Sequence, residues 1–181
     1  HISGVTHDSR AVSPGTLFVA LPGRKTDGSK YIPAALEKGA SAVALPADAS
    51  TNPLPVPTLR LAHPRKALAH LAAEIHGHPA KRLLPIGITG TNGKTTTASI
   101  VVSICRAAGL PEGQIGTNGH VINGRAQVAA FTTPEAPQLQ ALLSEMVNAQ
   151  VKVVAIEVSS VGLEECRVEA VPFAAAGFLN L

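Results

Sequence analysis

A lysine that directly follows a glycine-bounded turn and directly precedes three hydroxyl residues is the grouping in this chain best suited to chemistry. Gly90, Thr91, Asn92, Gly93, Lys94, Thr95, Thr96 and Thr97 follow one another without interruption. Glycines allow successive backbone N–H groups to turn inward around an anion, and a lysine at the end of the turn reaches the outer oxygens of a polyphosphate. Thr95 is then placed to ligate magnesium. The full P-loop spacing, G-x-x-x-x-G-K-[ST], would need glycine where Ile88 stands, so the match is to the shorter G-T-N-G-K-T-T at 90–96. A second chemical group lies far downstream, where Glu157 comes at the end of an apolar run, ahead of Ser159 and Ser160. A carboxylate at the C-terminal edge of a strand beside the phosphate-loop strand is where open α/β sheets place their ligands. Glu157 can complete a magnesium shell directly or through water.

The elements that must position these groups are readable from periodicity. Ile86 and Ile88 suit a buried strand ahead of the turn, and the spacing predicts a helix over 96–108 whose N-terminus faces the phosphates. The run at 151–158 is apolar enough for a central parallel strand buried on both faces. Between them, GTNGHVINGR predicts a strand and hairpin turning at Asn123-Gly124, and Pro134 suits the first turn of a helix to about Asn148. Leu139, Leu142, Leu143 and Met146 form the apolar stripe of that helix, which is core packing. Earlier in the chain, strands are expected at 17–21, 42–45 and 58–61, with helices at 31–38 and 65–76. The turn residues Gly77, His78 and Pro79 mark a boundary. The predicted class is α/β: a small N-terminal α/β domain at 1–78, then part of a P-loop-type parallel-sheet ATPase domain at 79–181.

Composition narrows the functional classes. The 181 residues are 45% hydrophobic, enough for a sizeable core, but only 3% aromatic, and the 15 Lys and Arg are scattered without aromatic neighbours to stack on bases. A nucleic-acid surface is therefore not expected. Cys105 and Cys166 stand alone, and His76 and His78 have no nearby carboxylate, so neither a zinc site nor a disulfide framework is indicated. No apolar run approaches the roughly 18 residues of a membrane span, and a cytoplasmic monomer is the expectation.

With the motifs in view, the chain resembles the Mur ligases of peptidoglycan synthesis. GITGTNGKTTT at 87–97, TTPE at 132–135, EVSS at 157–160 and FLNL at 178–181 are similar to successive signatures of that family. DSRAVSPGTLFVALPGRKTDG at 8–28 is similar to the first domain of its MurE and MurF types, and the TTP and EVSS signatures with Arg167 following point to the MurE type. The resemblance implies an ATP- and Mg2+-dependent carboxylate–amine ligase. Such an enzyme phosphorylates the terminal carboxylate of a UDP-N-acetylmuramoyl-dipeptide, and an amino-acid amine then attacks the acyl phosphate. It assigns Gly90 to Thr96 to ATP, Lys94 and Glu157 to catalysis, and Thr95 and Glu157 to the metal. His7, Ser9, Arg24, Lys25 and Thr26 fall to the UDP end of the substrate, and Thr132, Thr133, Ser159 and Arg167 to the muramoyl-peptide.

Four positions depart from the family pattern: Val161 in place of histidine, Glu165 in place of glutamine, Leu179 in place of threonine, and His7 where an apolar residue is usual beside the uracil. Glu165 is expected to repel an anionic substrate. The resemblance also implies that the amino-acid-binding C-terminal domain and a carbamoylated lysine lie outside this stretch, so the expectation is a fragment unable to form the amide bond alone. Other readings are a MurF-type ligase, a folylpolyglutamate synthetase, or a nucleotide-binding module without catalysis. The folate enzyme lacks the DSR and GRKTDG elements of the first domain.

Overall fold

The computed structural model describes residues 1–23 and 27–181, which form two compact units, His1–Ile75 and His76–Leu181. The Arg24-Lys25-Thr26 loop, assigned above to the UDP end, lies outside the described residues.

The first unit is a four-stranded parallel sheet of β1 (Gly4–Thr6), β2 (Thr16–Val19), β3 (Ala42–Pro46) and β4 (Thr58–Leu61), in that spatial order. Side chains alternate across a strand, so β2 and its extension feed both faces. Phe18 and Ala20 join Ile32 and Ala35 of α1 (Ile32–Glu37), while Leu17, Val19 and Leu21 join Leu68 of α2 (Pro64–Ile75). Strand β1 carries only three residues and escaped the sequence reading, because so short a run has no resolvable period.

The second unit is a six-stranded sheet. It contains β5 (Leu84–Thr89), β6 (Glu112–Gly116), β7 (Gly119–Ile122), β8 (Arg125–Gln127), β9 (Val153–Glu157) and β10 (Ala175–Phe178), in the spatial order β10-β5-β9-β6-β7-β8. The first four in space are parallel, and β7 and β8 are antiparallel additions. The expected single hairpin is thus two successive turns, at 117–118 and 123–124, and Asn123 and Gly124 adopt the left-handed conformation that a tight hairpin turn requires, with φ of 47° and 79°.

Strand β9 is buried along its whole length, as its apolar run predicts, and its alternation divides the core. Val154 and Ile156 pack with Leu139, Leu143 and Met146 of α4 (Ala136–Asn148). Ala155 faces the opposite way, toward Ala98 and Val102 of α3 (Lys94–Ala107). Helix α4 begins two residues later than Pro134 predicts; Pro137 occupies its first turn, and Pro134 stays in the preceding loop. Helix α3 begins at Lys94, two residues earlier than expected, because Gly93 serves as its N-cap.

His120 on β7 is 6% exposed, and burial holds its imidazole below the ordinary histidine range; burial does the same to His76. An unfolded chain takes up a proton near pH 6.5, whereas these folded sites resist it until lower pH. Their contribution to stability is therefore undiminished above about pH 7 and falls as the pH drops below the unfolded value, by at most about 1.4 kcal/mol per pH unit for each group. Urea midpoints should be level from pH 8 to 7 and decline toward pH 5.5, with His120→Gln showing a shallower decline. An equally steep decline in that variant would remove His120 as a cause.

Candidate active site

The turn between β5 and α3 is built to bring backbone close to something else. Gly90 has φ of 139°, and a Cβ there would lie 3.1 Å from both Asn180 N and Asn180 O, so any other residue would be strained and would crowd Asn180. Asn180 clasps the turn: its Oδ1 accepts from Asn92 N at 3.0 Å, its Nδ2 donates to Asn92 O at 3.1 Å, and its carbonyl accepts from Thr91 N at 3.3 Å. The N-terminus of α3 opens at this turn, with Gly93 capping it at φ of 87°. Lys94 Nζ donates to Gly90 O at 2.5 Å and to Thr91 O at 3.2 Å, which keeps the ammonium against the turn. A cavity of about 410 Å3 adjoins it, lined among others by Thr89, Gly90, Thr91, Lys94, Ser159 and Asn180.

Glu157 meets this turn through the pleat of β9. Ala155 faces α3, so the residue two positions on faces α3 as well, at the height of its first turn. There Thr95 Oγ1 donates to Glu157 Oε2 at 2.8 Å. The carboxylate is fully buried, and its remaining partners come from the β6–β7 turn: Thr117 N donates to Oε1 at 3.2 Å, and the Thr117 hydroxyl lies 3.1 Å from Oε2. Among the described residues no cation pairs with it. A buried carboxylate with hydroxyls around it and no cationic side chain fits a magnesium ion, which takes one or two protein carboxylates and completes its shell with water and phosphate oxygens. Thr95 and Glu157 are thus brought together as expected.

Thr132, Thr133, Ser159 and Arg167 converge on the same strand end. The Thr132 hydroxyl lies 3.0 Å from that of Thr117. Thr133 Oγ1 donates to the Glu157 carbonyl at 2.9 Å and accepts from Ser159 N at 2.9 Å, while Ser159 Oγ caps α5 (Ser160–Glu164) by accepting from Gly162 N at 3.0 Å. Arg167 Nη1 donates to Thr133 O at 2.8 Å, and its guanidinium stacks 5.4 Å from the centroid of Phe131. Glu165, expected to face an anionic substrate and repel it, is engaged by Arg167 Nη2 at 2.6 Å; the same nitrogen reaches Glu135 Oε1 at 2.6 Å. The carboxylate is turned onto the cation because only one residue separates the two side chains.

In the first unit, His7 and Ser9 line a cavity of about 400 Å3 with Asp8, Arg10 and Tyr31. Arg10 is bound to Asp8 through Nε and Nη2, at 2.9 and 2.8 Å, and this holds the Asp8 carboxyl below its usual range. Thr117, Asn180, Glu135 and Tyr31 were not among the predicted site residues. Thr117 carried a signal: the tetrapeptide GTNG occurs twice, at 90–93 and at 116–119; the second copy bonds Glu157 through Thr117, and Thr95, two residues past the first copy, bonds it as well.

Gly116 stands so close to Glu157 that an added Cβ would overlap the carboxylate. Gly116→Ala should therefore push Glu157 from its Thr95 contact and cost about 1–3 kcal/mol of stability, as overpacked sites do. Chemical denaturation checks it, and an unchanged unfolding midpoint would show that the strand end yields without loss.

Two family profiles match the chain: the Mur ligase family catalytic domain over residues 1–76, and the Mur ligase middle domain over residues 88–181. Among curated proteins it is 47% identical over 161 residues to the UDP-N-acetylmuramyl-tripeptide synthetase of Roseiflexus sp. strain RS-1, covering 88% of this chain and 32% of that protein. It is 46% identical over 183 residues to the UDP-N-acetylmuramoyl-L-alanyl-D-glutamate–2,6-diaminopimelate ligase of Chlorobaculum tepidum, covering 99% of this chain and 35% of that one. A solved structure of a UDP-N-acetylmuramoyl-L-alanyl-D-glutamate–2,6-diaminopimelate ligase superposes with a TM-score of 0.81 at 26% identity, over 98% of this chain and 36% of its own. The chain spans about a third of the length of the curated relatives it matches. With a glycine-bounded turn and lysine, a buried carboxylate and a threonine-serine-arginine cluster gathered at one strand end, and both profiles matching in order, the chain belongs to the Mur ligase family.

Proposed function

We propose that this chain provides the nucleotide- and muramoyl-peptide-binding part of a cytoplasmic, ATP-dependent ligase that adds the third amino acid to UDP-N-acetylmuramoyl-L-alanyl-D-glutamate. The observation that carries the reading is the meeting of Thr95, Glu157, Thr117 and Thr132 at the end of β9, where a phosphate turn and a hydroxyl-rich cluster share one carboxylate. Names of relatives supply the substrate: two of them are a tripeptide synthetase and a diaminopimelate ligase.

In this reading the turn at 90–93 and Lys94 hold the ATP phosphates, with the α3 N-terminus adding its partial positive charge. Thr95 and Glu157 would hold Mg2+, which supplies charge neutralisation on the transferring phosphoryl group. Thr132, Thr133, Ser159 and Arg167 would orient the peptide so that its terminal carboxylate reaches the γ-phosphate, giving an acyl phosphate open to an amine. His7 and Ser9, with the 24–26 loop, would take the uridine end. The work of the chain's own residues is positioning and charge compensation, and orientation of this kind contributes about 7–11 kcal/mol to bimolecular reactions.

Calorimetric titration with Mg–ATP tests the phosphate site. Lys94→Ala should weaken binding about a hundredfold, the loss of one charge-assisted contact of about 2.7 kcal/mol. Equal affinity of the two proteins would remove Lys94 from the phosphate role. For the first unit, UDP should shift the amide resonances of Ser9, Lys25, Thr26 and Tyr31, and resonances that stay put would take the uridine end elsewhere.

A further inference from the structure

Arg167 is the cation of the Thr132, Thr133 and Ser159 cluster, yet four of its five N–H donors are already engaged. Nε and Nη2 reach Glu165 Oε2 at 3.1 and 2.6 Å, Nη2 also reaches Glu135 Oε1 at 2.6 Å, Nη1 reaches Thr133 O at 2.8 Å, and Phe131 covers one face. Only 10% of the Arg167 side chain is exposed. A carboxylate that pairs with two donors of this guanidinium must therefore replace an acceptor that is already there. The three acceptors are unequal. Thr133 O is main chain, fixed by the contacts of Thr133 with Glu157 and Ser159. Glu135 is the N-cap residue of α4 and its side chain is 16% exposed, whereas Glu165 is the C-cap residue of the five-residue helix α5 and its side chain is 28% exposed.

We propose that Glu165 is an internal competitor for the substrate carboxylate. It holds Arg167 in its binding orientation and is displaced from Nε and Nη2 when the ligand's carboxylate arrives, so that its charge sets the affinity of the site. The inference rests on the proposed function for the identity of that ligand. Its physical basis is that like charges compete for one guanidinium, whereas a neutral amide at the same place keeps a hydrogen-bond acceptor without the charge.

The test follows the Arg167 Nε–Hε resonance by NMR, assigned by its loss in Arg167→Lys. Wild-type protein, Glu165→Gln, Glu165→Ala and the charge-retaining Glu165→Asp are each titrated with glutarate, a simple dicarboxylate, and then with UDP-N-acetylmuramoyl-L-alanyl-D-glutamate. Glu165→Gln and Glu165→Ala should respond at about tenfold lower glutarate than wild type, with Glu165→Asp close to wild type. Half-saturation that is unchanged or higher in both neutral variants would overturn the inference, since a merely structural Glu165 would weaken the site when removed. If the glutarate order holds but the UDP-linked dipeptide binds none of the four, the competitor role stands and the proposed substrate falls.

Discussion

The second unit depends on burying one carboxylate at the end of a strand with no cationic side chain paired to it among the described residues. Glu157 is fully buried, and three groups from two different elements reach it: the Thr95 hydroxyl from the first turn of α3, and the amide and hydroxyl of Thr117 from the β6–β7 turn. An ionised carboxylate in such a place costs several kcal/mol unless its oxygens are satisfied, so these contacts are conditions for the strand end to exist as drawn. They also explain the neighbouring sequence. Gly116 cannot carry a side chain because the carboxylate occupies that space, and Ala98 and Ala155 are small because α3 must lie close to β9 for Thr95 to reach.

The same constraint links the turn at 90–93 to the cluster of Thr132, Thr133, Ser159 and Arg167. Thr133 ties the loop after β8 to the Glu157 carbonyl and to Ser159, so the backbone that carries the Thr132 and Thr133 hydroxyls is fixed to the strand that ends in Glu157. Sheet topology permits it. The chain leaves β5 toward β6 and leaves β9 toward β10, in opposite directions, and the crevice at the C-terminal ends of β5 and β9 is the switch point at which open α/β sheets bind ligands.

Much of this was legible in residue order. Gly90, Gly93, Lys94 and Thr95 form a local unit whose chemistry survives any fold that places a strand before and a helix after, and Asn123-Gly124 specifies its turn through left-handed φ values alone. The run 151–158 announced a strand buried on both faces because no polar residue interrupts it before Glu157, apart from Lys152. Where the reading slipped, the cause was local competition. Pro134 and Pro137 both suit a first helical turn, and sequence offers no way to choose between them.

What the sequence determined by itself, then, is the set of local units: the phosphate turn, the amphipathic α4, the buried β9 and the α/β class that their alternation imposes, since each depends on neighbours within a few residues. Only the tertiary structure decided that Glu157 meets Thr95 across 62 positions, that the second GTNG supplies Thr117 to the same carboxylate, that Asn180 clasps the turn 88 residues before it, and that Arg167 is held by both Glu135 and Glu165. Those pairings follow from strand order and pleat parity. Strand order is a property of the whole sheet, fixed by which apolar faces are buried together, and no window of sequence contains it.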